Sequence, residues 1–511
     1  MGDSAKKISN NSHQKSRAAE IANTFEWLIT AFVLAFVFRA FVMEAYRIPT
    51  GSMADTLMGA HFRMRCSQCG YRYEYGFDPE RYRLPQDTIP RGNLQPVNSR
   101  CPSCGFYQLT GGTIPISNGD RILVLKCLYQ FMEPLRWDVI VFKNPLDPTI
   151  NYIKRLIGKP GEIIEIIDGD IYVNGQICRK PQKVQNELWM PVYDNDYQPV
   201  NPDKSLFNGH TWQQPFKNLT QSTWIFDKLN PTIFRLDSPP DQINSLIYDT
   251  TAGNDFHATY AYNEPERGIN RPYCSDLMAH FYVNPTLRQG CIGISLSKYQ
   301  TIYNARINLA GEMIIEAVKD GETVELARKA IELPTTDKAN LVKFANVDHQ
   351  LIFQFGTEKL THDLGRSPED TGQRNPQIEP EVKIFGSGKL AISHIAIFRD
   401  IHYTANNGAS RAAEGNPLTL GKDEFFVLGD NSPNSADGRW WDQPGRGNNG
   451  RYYRKGIVPR EYLVGKALFV YWPGGFRPFT NSRFAIVPNI GRMRLIYGGS
   501  GEKTTGGLTR M

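Results

Sequence analysis

Three polar segments, far apart in the chain, carry residue types that could act together in catalysis. The first holds Ser52 beside Gly51. A serine hydroxyl is a poor nucleophile until a base takes its proton, and most serines in such a context are simple turn residues. The second holds Lys154 inside an apolar run, where an amine must either reach solvent or lose its charge. The third, residues 426–439, leads an apolar strand into a polar turn and could be an ordinary hairpin. Taken singly, none of the three indicates an activity.

Four of the eight cysteines form two Cys-x-x-Cys-Gly pairs. Four thiolates arranged in this way suit a tetrahedral, structural zinc ion. The 31 residues between the pairs exceed the roughly 15–20 that are usual, and two disulfides in an oxidising compartment would explain the same pattern. We expect a structural zinc site, with disulfides as the alternative. The expected ligands are Cys66, Cys69, Cys101 and Cys104. The other four, Cys127, Cys178, Cys274 and Cys291, lack ligand spacing and are expected to be buried small residues.

An apolar run at residues 25–43 is long enough to cross a membrane. Its 19 residues would span about 28 Å as a helix, and Glu26 and Arg39 interrupt it only near its ends. A buried core helix or a cleavable signal peptide would be the alternatives, but the run is followed by a poor cleavage site. The preceding residues carry more lysine and arginine than acid, which predicts a cytoplasmic N-terminus and a remainder on the far side of the membrane.

The composition excludes several classes of protein. The chain has 511 residues, 41% of them apolar and 22% charged, which excludes collagen-like, small disulfide-rich and wholly disordered chains. A net charge of +6 from 58 basic and 52 acidic residues is too mild to indicate a nucleic-acid partner, and we expect none. Abundant glycine, proline and aromatic residues favour a mainly β fold.

Short β-branched runs separated by turn residues predict strands through most of the chain. Arg121–Leu125, 138–142 and 162–167 are such runs, and Asn174-Gly175 predicts a tight hairpin. From about residue 181 to 420 the runs recur at intervals of about ten residues, which is typical of an antiparallel sandwich. Within it, residues 344–351 and 397–403 resemble the laminin-G or concanavalin-like jelly rolls.

Together, the three polar segments resemble the bacterial type I signal peptidases, membrane-anchored Ser/Lys proteases. The family places its nucleophile in Pro-Ser-Gly-Ser-Met soon after an anchor, as in Pro49–Met53 with Thr50 replacing the first serine. Its general base lies in a Lys-Arg pair on a strand that leads into Gly-x-Pro-Gly, which residues 154–161 match. The remaining family boxes are matched in order by residues 119–125, 136–142, 170–175, 429–431 and 437–439.

The resemblance implies a role for each matched residue. Ser52 would be the nucleophile, and Lys154 the base, made neutral by burial. The Thr50 hydroxyl and the Ser52 backbone N–H would form the oxyanion hole. Supporting residues would be Arg155, Asp430, Asn431, Ser435, Asp437 and Arg439, the last two as a structural ion pair. Shallow substrate pockets would be lined by Ile48, Pro49, Met53, Leu57, Tyr152 and Ile153.

Two positions depart from the family pattern. Asp55 stands where the family usually has proline, and Gly438 stands where it commonly has a serine that helps to hold the lysine. Gly438 offers no hydroxyl, so the orientation of Lys154 must come from elsewhere; Ser435 and a water molecule are the candidates.

The expected fold is an N-terminal transmembrane helix, an antiparallel β peptidase core and two insertions. The expected divisions are a cytoplasmic tail at 1–24, an anchor at 25–43, a discontinuous core at 44–62, 113–180 and 421–495, a zinc-ribbon-like insertion at 63–112, a β-sandwich insertion at 181–420 and a flexible tail at 496–511.

The expected function is removal of signal peptides from secretory preproteins at the trans face of the inner (plasma) membrane, after small residues at the cleavage site. The expected partners are those preproteins and the lipid bilayer, and the resemblance implies no cofactor for catalysis. Two alternatives remain. A self-cleaving Ser/Lys regulator of the repressor type would share the residue pair, and a catalytically decayed surface receptor would use the sandwich instead.

Overall fold

The computed structural model describes most of the chain, and the statements below refer to that part. It covers residues 3–85, 88–90, 92–96, 98–108, 112–202, 206–207, 210–227, 229–263, 271–285, 289–333, 338–405, 410–447, 450–475 and 489–499. Most of the expected tail at 496–511 therefore lies outside the described residues.

The chain begins with a long helix, Asp3–Val37, which continues as a π-helical turn, Phe38–Val42. Its apolar part, Ala19–Val42, is 24 residues long with a mean hydropathy of 1.9, and none of its most apolar stretch is buried against the rest of the chain. Trp27 is 77% exposed. A helix with so much uncovered apolar surface fits a membrane anchor by length and composition.

An antiparallel sheet follows the helix and carries most of three matched family boxes, residues 119–125, 136–142 and 154–161. It gathers strands from three distant parts of the chain. Its order is Met43–Arg47, Arg121–Leu125, Leu463–Trp472, Val139–Lys143, Asn151–Gly158, Glu424–Leu428 and Val458–Pro459. The short strand Arg494–Leu495 also pairs with Leu463–Trp472. A smaller sheet has the order Gln176–Ile177, Asp170–Val173, Ile163–Ile167 and Leu418–Thr419.

The hairpin predicted at Asn174-Gly175 is present. Both residues have positive φ, 53° and 77°, which a two-residue turn between right-twisted strands requires. They join Asp170–Val173 to Gln176–Ile177.

The Cys-bearing segment has its own small sheet, with the order Arg72–Gly76, His61–Arg65, Ile114–Ser117 and Asn93–Leu94, and a hairpin of Ser99–Arg100 and Tyr107–Gln108. Its buried cluster contains Phe62, Tyr73 and Tyr75 together with the four paired cysteines. So few apolar side chains make a small core, and small cores commonly depend on a metal or cross-links.

The segment after residue 181 forms two antiparallel sheets. The first has the order Ile225–Phe226, Phe234–Asp237, Lys389–Arg399, Leu277–Pro285, Asn340–Val347, Gln350–Phe355 and Glu358–Asp363, with Met190–Asp194 also on Lys389–Arg399. The second has the order Phe216–Asn218, Asn244–Tyr248, Val382–Gly386, Cys291–Lys298, Thr301–Asn308, Glu312–Lys319 and Glu322–Ala330.

One apolar core joins the two sheets. Phe281 and Phe344 of the first sheet pack in the same cluster as Ile292 and Ile294 of the second. Each is fully buried, and burial of such a side chain contributes about 1.5–3 kcal/mol. The architecture is a β-sandwich, and the mainly β fold class predicted from composition and strand pattern is confirmed.

Short elements connect these sheets. They are the helices Leu128–Phe131 and Gln182–Leu188, the 3₁₀ turns Pro79–Tyr82, Ser432–Asn434, Arg460–Tyr462 and Ile490–Arg492, and the small hairpins of Leu206–Phe207 with His210–Thr211 and Gly445–Arg446 with Tyr452–Tyr453.

Candidate active site

The turn that carries Ser52 lies between the strands Met43–Arg47 and His61–Arg65. The Ala54 N–H donates to the Gly51 carbonyl at 3.0 Å, which closes a tight loop around the serine. Ser52 itself is 9% exposed. The residue is therefore largely buried, and a hydrogen-bonded turn holds its backbone.

Lys154 lies on the strand Asn151–Gly158 and meets this serine. Its Nζ donates a hydrogen bond to Ser52 Oγ at 2.7 Å, and the residue is only 4% exposed. Burial lowers the pKa of the Lys154 amine to about 8; the carboxylates of Asp437 and Asp430 oppose this, whereas Arg439 adds to it. The arrangement provides an amine that can lose its proton near neutral pH, beside a hydroxyl that needs a proton acceptor.

The neighbouring Arg155 points to the opposite face of the strand, because successive side chains of a strand alternate. Its Nε and Nη2 donate to the Asp430 carboxylate at 2.8 and 2.7 Å, and both side chains are almost fully buried. Nη1 also donates to the Trp137 carbonyl at 3.0 Å. A two-bond ion pair of this kind fixes the start of the 429–431 turn against the strand that carries Lys154.

A second buried ion pair holds the other side of that turn. Arg439 donates to both oxygens of Asp437 at 2.8 and 2.7 Å, and neither side chain is exposed. Asp437 also accepts from the Gly429 N–H at 3.0 Å, and Arg439 donates to Ser432 Oγ at 2.7 Å. These contacts are within the turn and do not reach Ser52; the structural role expected of the pair stays a prediction.

The 429–431 turn is also hydrogen-bonded to the serine segment through Asn431. Its backbone N–H donates to the Ser52 carbonyl at 3.1 Å, and its Nδ2 donates to the Gly51 carbonyl at 3.0 Å. Asn431 is 1% exposed. It thus ties the last family box to the nucleophile turn.

Position 438 cannot hold a side chain in this fold. A Cβ on Gly438 would lie 2.6 Å from Phe426 Cε2 and 2.7 Å from the Gly456 carbonyl oxygen. Ser435 remains as a buried hydroxyl, and its Oγ has no hydrogen-bond partner among the described residues. A Cβ built on Gly429 would lie 2.2 Å from Ser435 Oγ and 2.4 Å from the Ser52 carbonyl oxygen, so the Ser435 hydroxyl lies close to the nucleophile segment.

The residues predicted to contact substrate divide into two groups. Ile48, Met53 and Leu57 are at most 2% exposed and belong to the apolar core beneath the turn. Buried to this degree, they support the turn in this structure, and their contact with substrate stays a prediction. Pro49 is exposed, and Tyr152 and Ile153 are partly exposed, so these three remain available to a ligand. Thr50, the predicted oxyanion donor, is exposed two residues before Ser52.

The four paired cysteines converge on one point. Sγ of Cys66 lies 3.6 Å from that of Cys104, and Sγ of Cys69 lies 3.7 Å from that of Cys101. All four sulfurs lie within 4.8 Å of one another, and none is in a disulfide. Four sulfurs about 2.3 Å from a tetrahedral zinc ion would be about 3.8 Å apart, so the residues fit this ion. Of the other cysteines, Cys274 and Cys291 are buried as expected; Cys127 and Cys178 are only partly buried.

A buried charge network joins the sandwich to the core. The carboxylates of Asp170, Asp276, Asp348 and Asp400 lie within 4.8 Å of one another, and all four are buried. Two lysines lie between them: Lys180 is 2.8 Å from Asp400 and also pairs with Asp348, and Lys298 is 3.7 Å from Asp170 and also pairs with Asp276.

The charges in this network are partly cancelled by these pairs. Burial raises the pKa of Asp400 to about 6 and that of Asp170 well above its ordinary value. The two lysines offset two of the four carboxylate charges and pair with all four carboxylates, so we interpret the group as a structural ion network.

Two residues near the nucleophile were not found from the sequence. Tyr262 and Asn263 lie in the sandwich insertion, more than 200 positions after Ser52, and contact the nucleophile turn and Asn431. An Asn in a stretch rich in turn residues gives no signal of such a contact, because only the folded topology brings it there.

Comparison with known proteins agrees with this geometry. The family model described as signal peptidase, peptidase S26, matches residues 112–214 and 390–472. These segments include Lys154 and the 429–439 turn; Ser52 precedes them. The resemblance to bacterial type I signal peptidases is confirmed over these segments, which are similar to the S26 signal peptidase family.

Two curated relatives, both named Signal peptidase I, illustrate the similarity. That of Rickettsia canadensis (strain McKiel) is 32% identical over 151 residues, which is 29% of this chain and 42% of the relative. That of Rickettsia conorii (strain ATCC VR-613 / Malish 7) is 32% identical over 189 residues, 37% of this chain and 54% of the relative. The chain thus spans about half the length of the curated relatives it matches.

Among solved structures, the carbohydrate binding module CBM66 from Bacillus subtilis is similar at 8% identity. The match covers 36% of this chain and 95% of that chain with a TM-score of 0.23. At this TM-score the likeness is slight, and the description of the sandwich rests on the strand pairing of this chain itself.

Proposed function

We propose that the chain is a membrane-anchored serine endopeptidase that removes signal peptides from secretory preproteins, with Ser52 as nucleophile and Lys154 as general base. The observation that carries the proposal is the 2.7 Å contact between Lys154 Nζ and Ser52 Oγ at a buried site, in a chain whose core matches the S26 signal peptidases.

The chemistry begins with the neutral form of Lys154. Its Nζ takes the Ser52 hydroxyl proton while Oγ attacks the scissile carbonyl carbon. The resulting oxyanion would accept hydrogen bonds from the Ser52 backbone N–H and the Thr50 hydroxyl. The ammonium then gives its proton to the departing amine, and an acyl-enzyme remains on Ser52. A water molecule, deprotonated by Lys154, completes hydrolysis.

Burial is what makes this lysine a usable base. A lysine in water has a pKa near 10.4 and is almost wholly protonated at neutral pH. Burial brings the pKa of Lys154 to about 8, so a useful fraction is neutral. Lys154 Nζ is held by its hydrogen bond to Ser52 Oγ, whereas the Ser435 hydroxyl, although it lies beside the nucleophile segment, makes no hydrogen bond to this amine among the described residues.

The apolar helix supports a location at the membrane. Ala19–Val42 is long enough to cross the bilayer, and the basic residues before it support a cytoplasmic N-terminus. The catalytic core would then lie on the trans side of the plasma membrane, where signal peptides emerge. We also propose that the four cysteines hold a structural zinc ion, which has no part in catalysis.

The test is cleavage of a secretory preprotein by the detergent-solubilised full chain. We expect wild-type protein to cut after the small residues that end the signal peptide. Ser52→Ala and Lys154→Ala, each folded as judged by circular dichroism, should be inactive. Folded wild-type protein that cuts no preprotein would overturn the proposal and favour the receptor alternative. A cut within the chain itself in place of the preprotein would favour the self-cleaving regulator.

A further inference from the structure

One segment of the sandwich insertion, Tyr260–Asn263, packs directly against the nucleophile turn. The Tyr262 ring lies so close to Gly51 that a Cβ there would be 2.1 Å from ring atom Cε1. The Tyr262 hydroxyl donates to the Ala60 carbonyl at 2.9 Å, and its own carbonyl accepts from the Gly76 N–H at 2.7 Å. The segment is therefore fixed at both its side chain and its backbone.

Asn263, the last described residue of this segment, pairs with Asn431 through both amide groups. Asn263 Nδ2 donates to Asn431 Oδ1 at 2.7 Å, and Asn431 Nδ2 donates to Asn263 Oδ1 at 2.8 Å. Both residues are at least nine-tenths buried. The same Nδ2 of Asn431 donates its second hydrogen to the Gly51 carbonyl at 3.0 Å.

We propose that Asn263 is a positioning residue for the nucleophile. A side-chain amide has two orientations that differ by a half-turn, and only one of them directs Nδ2 of Asn431 toward Gly51. The Gly51 carbonyl can only accept, so it selects this orientation, and Asn263 holds the amide there because it gives an acceptor to Nδ2 and a donor to Oδ1. With Asn431 held, the carbonyls of Gly51 and Ser52 are held on both sides of the serine. This inference rests on the proposed function.

The physical consequence follows from the distances required for attack. A nucleophile displaced by about 1 Å can lose roughly 100-fold in rate, although the substrate still binds. Loss of the Asn263 amide would free Asn431 to rotate and the turn to shift relative to Lys154. The sandwich insertion therefore supplies part of the frame of the active site, even though residue 263 lies outside the segments matched to the family.

The experiment compares Asn263→Ala with a matched control, Asn254→Ala, in the detergent-solubilised full chain. Asn254 is also 8% exposed, lies in the same insertion, and donates to the backbone carbonyls of Pro102 and Val192 at 2.9 and 3.0 Å. We expect Asn263→Ala to lower kcat for preprotein cleavage by roughly 100-fold with KM within about twofold of wild type. Asn254→Ala, assayed below its unfolding temperature, should keep kcat within about threefold, because its side chain donates to the carbonyls of Cys101, Pro102 and Val192 and not to the nucleophile turn.

A second variant and a second measurement separate positioning from simple loss of structure. Asn263→Asp keeps the shape and the acceptor for Asn431 Nδ2 but removes the donor to Oδ1, so a merely space-filling role would leave kcat unchanged. Hydrogen exchange of the Ala54 and Asn431 amides, which donate to the Gly51 and Ser52 carbonyls, should accelerate in both Asn263 variants.

The possible results separate the two proposals. Wild-type kcat and wild-type exchange in both Asn263 variants would overturn this inference while leaving the proposed function intact. Absence of cleavage by wild type would overturn the proposed function. Faster exchange in the variants would then still support the positioning role.

Discussion

The pH dependence of cleavage is the sharpest quantitative consequence of the buried lysine. Burial brings the Lys154 pKa from its ordinary value near 10.5 to about 8, a difference equivalent to about 3 kcal/mol at 1.36 kcal/mol per unit. Only the neutral amine can accept the Ser52 proton. Activity must therefore rise with pH and level off above about 8. The neutral fraction would be about one-tenth at pH 7 and about one-hundredth at pH 6.

The assay is kcat/KM for a peptide that spans a signal-peptide cleavage site, measured from pH 6 to pH 10 in detergent. The peptide should carry no group that titrates in this range. We expect kcat/KM to change tenfold per pH unit on the acid side, with a half-maximum near pH 8. Near-ultraviolet circular dichroism at each pH serves as the control that the fold persists.

Three results would refute the reasoning. A kcat/KM profile with its half-maximum near pH 10.5 would mean that the lysine is not desolvated when it acts. A half-maximum near 6.5, the ordinary value of histidine, would indicate another base. A profile without pH dependence over the whole range would mean that proton removal from Ser52 does not limit the reaction.

Three further predictions concern stability and metal content. Gly438→Ser should lower the free energy of unfolding by about 1–3 kcal/mol and leave kcat no higher than in wild type, because the added side chain overpacks the space beside Phe426. A variant that is as stable as wild type in thermal unfolding and faster in the kinetic assay would contradict this. Arg155→Ala should lower the free energy of unfolding by about 3–5 kcal/mol in denaturant unfolding, because it leaves the buried Asp430 without its partner. Arg460→Ala, which removes a partly exposed ion pair, should lower it by about 1 kcal/mol or less. Equal losses in the two variants would refute the contrast. Elemental analysis should find one zinc per chain in wild type and a marked loss in Cys104→Ser, and two mapped disulfides in wild type would exclude the site.

Local patterns in the sequence predicted local structure well. The strand Arg121–Leu125 has the predicted bounds, since it is a short apolar run with two β-branched residues and with turn residues before it. The hairpin at Asn174-Gly175 follows from the tolerance of both residues for positive φ. The apolar helix was predictable because a 19-residue apolar run without proline or glycine is typical of a membrane-spanning helix.

The proximity of Ser52 and Lys154 was expected only through the family resemblance. Ser52 lies 102 residues before Lys154, and nothing in either local pattern specifies the other as a neighbour. Their catalytic roles remain predictions. The burial of Met53 and Leu57 was not part of the prediction, because the family motif does not show which face of the turn packs into the core.

The contacts between insertion and core could not be predicted. Asn263 reaches Asn431 over a separation of 168 residues, and the charge network joins Asp170 to a sandwich that begins after it. Such contacts depend on how whole sheets pack, and polar residues in turns carry no periodic signal of their partners. Gly438 is a related case. From the sequence, its lack of a hydroxyl suggested that a support of Lys154 is missing. In the structure, the Phe426 ring fills the space that a side chain at this position would need.

The central claim is that Ser52 becomes covalently acylated with Lys154 as its base, and trapping that intermediate tests it most directly. A signal-peptide substrate is mixed with the full chain in detergent and quenched in acid within milliseconds. Ser52 is then examined by peptide mapping and mass spectrometry. We predict an added mass equal to the acyl half of the substrate on Ser52 in wild type, and none in Lys154→Ala. An adduct on a different residue, or continued cleavage by Ser52→Ala, would contradict the account.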